Sequence, residues 1–274
     1  MRRYVTVQKF GQTFKLIYRT NLGGKKNGQL CDEDIRDEDG DVYGEGEQED
    51  RKRADRVACN IARARSRVRE LALCNPWDYF VTLTLSPDKA DRFDLRSFVK
   101  RFGEFVGNYR RVRARSGFRY IFIPEQHKNG AWHAHGLVRG IPPSDLVRNA
   151  NGYLDWPAYG TRFGYVSLDA IRDPIKVCAY ITKYISKSFG ATTRAPGEHL
   201  FYASQGLNEK RTVCTVSSSG VAEYEGEHCG ITWVTDADGV LYDLLQNLAD
   251  GVGDLAATSE AVGVLLESYA GAQG

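Results

Sequence analysis

A pair of predicted β-strands carrying histidines constrains this chain more than any other stretch. Residues Phe118 to Val138 read FRYIFIPEQHKNGAWHAHGLV, in which two strand-like runs flank a short polar turn. Because side chains alternate between the two faces of a strand, His133 and His135 share one face of the second run. Two neighbouring imidazoles on one strand face are half of a metal site.

The length of the turn decides what the first strand adds to this pair. A slip of one residue in the pairing moves every side chain to the other face. A two-residue turn at Asn129 and Gly130 would direct Glu125 away from His133, whereas a three-residue turn ending in a left-handed Gly130 would pair Glu125 with His133. We predict the three-residue turn. The predicted face then carries four candidate metal ligands: Glu125, His127, His133 and His135.

The chemistry of this face depends on the ion that it binds. Imidazole nitrogens with a carboxylate oxygen suit Mn²⁺ or Mg²⁺ in an enzyme that acts on phosphates. Imidazole ligands alone would equally admit Zn²⁺, and the face would then fit a hydrolase that activates water without a tyrosine. A divalent cation in this place could polarise a phosphodiester and neutralise its developing charge.

A second candidate site lies in a predicted helix from Ile175 to Ser188. Tyr180 and Tyr184 are four residues apart and therefore lie on one face of that helix. A phenol with an ordinary pKa of about 10 is a weak nucleophile at neutral pH. A nearby cation and a phosphate held in line would activate it. Lys183 is a candidate for stabilising the phenolate or the phosphate.

Positive charge is concentrated in the middle of the chain. Residues 51–211 contain 29 Lys and Arg against 14 Asp and Glu, a net charge of +15, although the whole chain has a net charge of only +2. Such a segment favours a polyanionic partner, because Lys and Arg supply most of the non-specific affinity for nucleic acid. A solvated basic surface is the alternative. Candidate DNA contacts on the predicted helices are Arg56, Arg63, Arg67, Lys176 and Lys187.

The pattern of elements predicts an α+β fold, in which a central antiparallel β-sheet is flanked by helices. Two short runs near the C-terminus, Gly230 to Val234 and Val240 to Leu244, also have strand-like composition. The predicted segments are an N-terminal segment with a hairpin (1–30), an acidic flexible linker (31–50), a basic helix (51–74), a domain that holds both candidate sites (75–211) and a small acidic C-terminal extension (212–274).

Cysteine spacing and hydropathy indicate the expected location. The six cysteines are scattered without the close pairs typical of zinc ribbons or redox motifs, and they are typical of reduced thiols. No window holds 18 consecutive apolar residues, and the N-terminus lacks the apolar core of a signal peptide. We therefore expect a soluble cytoplasmic protein that has no membrane contact.

Three stretches resemble, in order, the motifs of rolling-circle replication initiators in the HUH endonuclease superfamily. They are FVTLTLS (80–86), WHAHGLV (132–138) and AYITKYISK (179–187). The order and the two-tyrosine helix are most similar to initiators of small single-stranded-DNA phages and related plasmids. The resemblance covers about residues 75–205, and it implies that the domain at 75–211 is an HUH endonuclease in a bacterial host cytoplasm.

The resemblance also implies roles for individual residues. His133 and His135 match the paired ligands of Mn²⁺ or Mg²⁺, with Glu125 as the third ligand and His127 as its substitute. Tyr180 matches the nucleophile that nicks single-stranded origin DNA, leaving a 5′-phosphotyrosine and a free 3′-hydroxyl. Tyr184 matches a second tyrosine that alternates with the first between cleavage and joining.

The expected partners and the alternative functions follow from the same comparison. The sequence contains no Walker loop, so a host helicase would unwind the origin DNA and a host polymerase would extend the 3′-hydroxyl. A relaxase or a single-tyrosine transposase would use the same chemistry on other DNA. A non-catalytic module that binds single-stranded DNA through aromatic and basic side chains is the alternative from another class.

Overall fold

The computed structural model describes residues 3–20, 45–114, 117–150, 152–189, 198–218 and 231–271. These residues form eleven β-strands and six α-helices. The strands are β1 (Arg3–Phe10), β2 (Thr13–Thr20), β3 (Tyr79–Thr84), β4 (Arg119–Gln126), β5 (Trp132–Arg139), β6 (Val147–Arg148), β7 (Leu154–Asp155), β8 (Val166–Ala170), β9 (Tyr202–Ala203), β10 (Arg211–Ser218) and β11 (Ile231–Val234). The helices are α1 (Glu45–Cys74), α2 (Leu95–Tyr109), α3 (Pro157–Gly160), α4 (Pro174–Phe189), α5 (Val240–Ala249) and α6 (Leu255–Gly271).

The chain divides into two compact units. One unit is Gln29–Leu207, and the described residues before and after it form the other. The first unit contains a seven-stranded sheet with the order β6-β7-β8-β3-β5-β4-β9, in which every pairing is antiparallel. The second contains a four-stranded antiparallel sheet with the order β10-β1-β2-β11. The predicted α+β fold with antiparallel sheets and flanking helices is confirmed.

The seven-stranded sheet is covered on both faces. Helix α2 packs on one face through Phe98, Phe102, Phe105 and Tyr109, which are all buried, as their spacing in the sequence predicts. Helices α1 and α4 pack on the other face, which is the face of the predicted metal ligands. The core there contains Val68, Leu71, Phe80, Ile121, Leu137, Ile181 and Ile185. Alternation along β3, β4 and β5 thus feeds two separate apolar cores.

Helix α1 is longer than the sequence pattern predicts. It begins at Glu45, six residues before the predicted basic helix of 51–74, so the last residues of the predicted flexible linker (31–50) are helical. Acidic residues are favoured in the first turn by the positive end of the helix dipole, which explains how EGEQED can start a helix. The remainder of the predicted linker, residues 31–44, lies outside the described residues.

The two ends of the chain, which the sequence analysis treated as separate segments, share one sheet. The predicted N-terminal hairpin is present as β1 and β2, and β1 also pairs with β10. The strand-like run at Val240 to Leu244 is instead part of α5, so that prediction was wrong. Leu245 and Ala249 are buried four residues apart, which is helical spacing, and a short apolar run does not distinguish a strand from a buried helix.

No helix in the part of the chain that the structure describes combines the length and the apolar character needed to cross a membrane.

Candidate metal centre and tyrosine helix

The turn between β4 and β5 has the predicted three-residue form. The His127 N–H donates to the Ala131 carbonyl oxygen at 2.8 Å, and the Gly130 N–H donates to the His127 carbonyl oxygen at 2.8 Å. Gly130 has a φ of 86°, the left-handed conformation that glycine adopts at little cost. Glu125 therefore lies directly opposite His133, and the predicted register is confirmed.

Gly136 lets β4 and β5 approach closely beside the histidines. A Cβ atom at this position would lie 2.4 Å from the Ile121 carbonyl oxygen, too close for any side chain. Gly136 immediately follows His135 in β5. The glycine of the HAHG sequence therefore has a packing role in addition to the histidines that it follows.

Three ligand atoms converge on the face shared by β4 and β5. The Nε2 atoms of His133 and His135 are 3.0 Å apart. Glu125 Oε2 lies 3.4 Å from His133 Nε2 and 3.2 Å from His135 Nε2. The three residues form a group that could hold a metal ion.

These separations fit a cation held by all three atoms. Ligands about 2.1 Å from an ion are about 3.0 Å apart in octahedral geometry and about 3.4 Å apart in tetrahedral geometry. The observed separations of 3.0 to 3.4 Å span this interval. The donor set therefore fits Mn²⁺ or Mg²⁺, and its spacing also admits Zn²⁺.

The protonation of both histidines suits metal binding. Thr82 Oγ1 lies 3.2 Å from His135 Nδ1, so a proton on Nδ1 can be donated to the hydroxyl oxygen while the Nε2 lone pair faces the cluster. Burial, with the neighbouring His127 as a second cause, lowers the pKa of His133 to about 4. The His133 imidazole is therefore neutral at pH 7 and keeps a lone pair for a cation.

His127, the fourth predicted ligand, is placed differently from the other three. Its exposed ring stacks on His133 with ring centres 3.9 Å apart and an angle of 20° between the planes. The group of converging ligand atoms contains Glu125, His133 and His135. The role of His127 as a substitute ligand stays a prediction, and what the structure gives is a ring covering His133.

The two tyrosines of α4 lie beside this cluster and differ in exposure. Tyr184 is 8% exposed, and its ring stacks on His135 with centres 3.9 Å apart. Tyr180 is 47% exposed and its ring lies 5.2 Å from that of Phe80. The Tyr184 hydroxyl donates to the Tyr180 hydroxyl oxygen at 2.5 Å. Burial, followed by this hydrogen bond, raises the pKa of Tyr184, so Tyr184 is a protonated donor at neutral pH.

The predicted basic residues are distributed along α1 and α4. Arg56 and Arg63 are exposed on α1, and the Arg67 guanidinium pairs with the Glu70 carboxylate at 2.6 Å. On α4, Lys183 is exposed and Lys176 pairs with Asp173 at 3.2 Å. The side chain of Lys187 lies outside the described residues. The structure thus keeps Arg56, Arg63 and Lys183 at the surface, whereas Arg67 and Lys176 have carboxylate partners.

Sequence reasoning missed the contribution of β3. Thr82 pairs with His135 across the sheet and reaches its Nδ1 atom, and Phe80 supports the ring of Tyr180. The strand itself is evident from its composition, but its pairing partner lies 53 residues away in sequence. Alternation within YFVTLT does place Phe80, Thr82 and Thr84 on one face, which was the available indication.

The comparisons with known proteins bear on this part of the chain. Residues 78–189 match the model of a family described as replication-associated protein ORF2. The matched segment is less than half of the chain and contains β3, the hairpin of β4 and β5, and α4. The chain has no significant match among curated proteins or solved structures. The family match supports a role in the initiation of DNA replication.

Proposed function

From a replication-associated segment with this cluster, we propose that residues 75–211 form an HUH-type endonuclease that initiates rolling-circle replication by nicking one strand of origin DNA. The observation that carries the proposal is the convergence of Glu125, His133 and His135 within 3.4 Å of one another, beside an exposed Tyr180. The net charge of +15 over residues 51–211 supports a DNA substrate.

In this proposal the cluster binds Mn²⁺ or Mg²⁺, which would polarise the scissile phosphodiester and neutralise its developing charge. The oxygen of Tyr180 loses its proton and attacks the phosphorus atom, and the bond to the 3′ oxygen breaks. The 3′ oxygen leaves and takes up a proton. The products are a 5′-phosphotyrosine on the protein and a free 3′-hydroxyl, which a host polymerase extends after a host helicase has opened the duplex.

The other chain groups have supporting roles in this reaction. The Tyr184 hydroxyl donates a hydrogen bond to the Tyr180 oxygen, so it stabilises negative charge on that oxygen as the proton leaves. Arg56 and Arg63 offer exposed guanidinium groups to the phosphates of the strand. Lys183, which is exposed on the same helix as both tyrosines, is the proposed cation for the phenolate or the phosphate.

An intact-mass measurement tests the proposal directly. The protein is incubated with Mn²⁺ and single-stranded oligonucleotides that tile both strands of the DNA element encoding it. We expect a covalent mass increase equal to a 5′-phosphorylated fragment, located on the peptide that contains Tyr180. If no oligonucleotide forms an adduct with Mn²⁺ or Mg²⁺ while metal-independent binding persists, the chain is a binding module and the proposal fails.

Thr82→Val is expected to weaken Mn²⁺ binding by about 10- to 100-fold, the usual effect of removing the partner that orients a metal-binding histidine. Valine keeps the shape of threonine but cannot accept the proton of His135 Nδ1. Isothermal titration of the metal-free protein measures the change without depending on activity, and Thr82→Ser, which retains the hydroxyl, should bind nearly as tightly as the wild type.

Thr84→Val is the matched control for this prediction. Thr84 lies on the same face of β3, opposite His133, but His133 Nδ1 has no hydrogen-bond partner among the described residues. We therefore expect wild-type Mn²⁺ affinity for Thr84→Val. Equal affinities for Thr82→Val and Thr84→Val would show that the Thr82 hydroxyl does not orient His135.

A further inference from the structure

One row of residues across the sheet extends the candidate metal site toward β8. Residues directly opposite each other in antiparallel strands project to the same face. Thr84 lies opposite His133, and His133 lies opposite Glu125. The Thr84 N–H donates to the Tyr165 carbonyl oxygen at 2.9 Å, so Tyr165 continues the row on the far side of β3.

Alternation along β8 directs the Tyr165 side chain to the face of the metal cluster. The next residue, Val166, and Leu168 after it are both buried in the core beneath α2, on the opposite face. Tyr165 therefore points away from that core, and it is 57% exposed. The row thus ends in an exposed aromatic ring on the same face as the ligand atoms.

The backbone of Tyr165 is held firmly although its ring is exposed. Beyond Thr84, the Ser86 N–H donates to the Phe163 carbonyl oxygen at 2.8 Å, so the two chains stay paired past the end of β8. Gly164 makes this possible. Its φ is 145°, and a Cβ there would lie 2.4 Å from the Ser86 nitrogen. Tyr165 is therefore fixed by the sheet and is unlike a residue at the tip of a loop.

The row lies at the open end of the metal-site face. Two rows away, Phe80 and Leu137 are buried in the core that α1 and α4 cover. At the row of Tyr165 the face reaches solvent, since the Glu125 side chain is 21% exposed and His127 is exposed. Adjacent strands are about 4.8 Å apart, so the Cα atom of Tyr165 lies two strands, or about 10 Å, from that of His133.

We propose that Tyr165 is a stacking subsite for one base of the single strand, next to the phosphate held at the cluster. This inference rests on the proposed endonuclease function. The ring lies close enough to the cluster to meet a neighbouring nucleotide, and its exposed face suits any base. Aromatic side chains stack bases with little dependence on sequence, because every base has a π face.

Replacement of Tyr165 tests the subsite in the full-length chain. The probe is a single-stranded oligonucleotide that forms the covalent adduct with the wild type, carrying 2-aminopurine at successive positions near the scissile phosphate. We expect Tyr165→Ala to raise the Kd about 5- to 100-fold, and to remove the quenching of 2-aminopurine at one position. Tyr165→Trp should retain both the affinity and the quenching.

Tyr153→Ala is the matched control, because Tyr153 is also 57% exposed but lies in the turn between β6 and β7. It should bind and quench as the wild type does. If Tyr165→Ala behaves in the same way while both proteins still form the adduct, the subsite is refuted and the endonuclease stands. If the wild type forms no adduct with any tiled oligonucleotide, the endonuclease proposal fails instead, and binding of the same strands by Tyr165→Ala then reports on stacking alone.

Discussion

Tyr180→Phe is expected to abolish the covalent protein–DNA adduct, with a fall of roughly 10³-fold or more in the rate of its formation, as for removal of other enzyme nucleophiles. Tyr180 is the exposed member of the tyrosine pair, and its hydroxyl is the one within reach of a strand in solution. Phenylalanine keeps the ring beside Phe80 but removes the attacking oxygen. Intact-mass measurement after incubation with Mn²⁺ and the nicked oligonucleotide gives the result directly.

Tyr184→Phe is the informative comparison for this variant. It preserves the ring stacked on His135 and removes only the donor to the Tyr180 oxygen. We expect an adduct on Tyr180 to form more slowly, and Tyr153→Phe to form it at the wild-type rate. An adduct on the double variant Tyr180→Phe, Tyr184→Phe would show that neither tyrosine is the nucleophile and would refute the mechanism.

His133→Ala is expected to lower Mn²⁺ affinity by more than about 100-fold and to abolish metal-dependent nicking, while salt-sensitive DNA binding is largely kept. The reason is that two donor atoms remain, and loss of a ligand exceeds the roughly 10- to 100-fold effect of losing an outer partner. DNA binding depends mainly on Lys and Arg contacts with phosphates, which this change leaves in place. Calorimetry, a nicking gel and a salt-titrated binding assay measure the three effects separately.

His199→Ala is the matched histidine control for this prediction. His199 is exposed, and its ring packs near Tyr202, away from the group of converging ligands. It should retain metal affinity and nicking. Unchanged Mn²⁺ affinity in His133→Ala would place metal binding elsewhere in the chain. Adding Mn²⁺, Mg²⁺ or Zn²⁺ in turn to the metal-free wild type identifies the ion that supports nicking.

Local sequence features predicted the hairpin correctly because its geometry is decided within a few residues. The turn length, the left-handed Gly130 and the alternation of the strands together fix Glu125 opposite His133. The spacing of Tyr180 and Tyr184 likewise places both on one face of α4, since helical periodicity is a local property. These features required no knowledge of the rest of the fold.

The contacts that the sequence did not predict all depend on distant pairing. Thr82 reaches His135 only because β3 pairs with β5, and no local pattern selects that partner for the strand. The pairing of β1 with β10 joins residues about two hundred positions apart, so the two ends were treated separately. The short apolar run at Val240 to Leu244 is ambiguous by itself, and packing within its unit selects the helix.

The stacking of Tyr184 on His135 has a consequence for the entropy of activation. One ring face contacts a proposed metal ligand, and the hydroxyl of the same residue contacts the proposed nucleophile. Folding therefore preorganises the two reacting partners before any DNA arrives. Because the relative freedom of nucleophile and metal is removed in advance, the strand needs only to bind for the reaction to become effectively unimolecular.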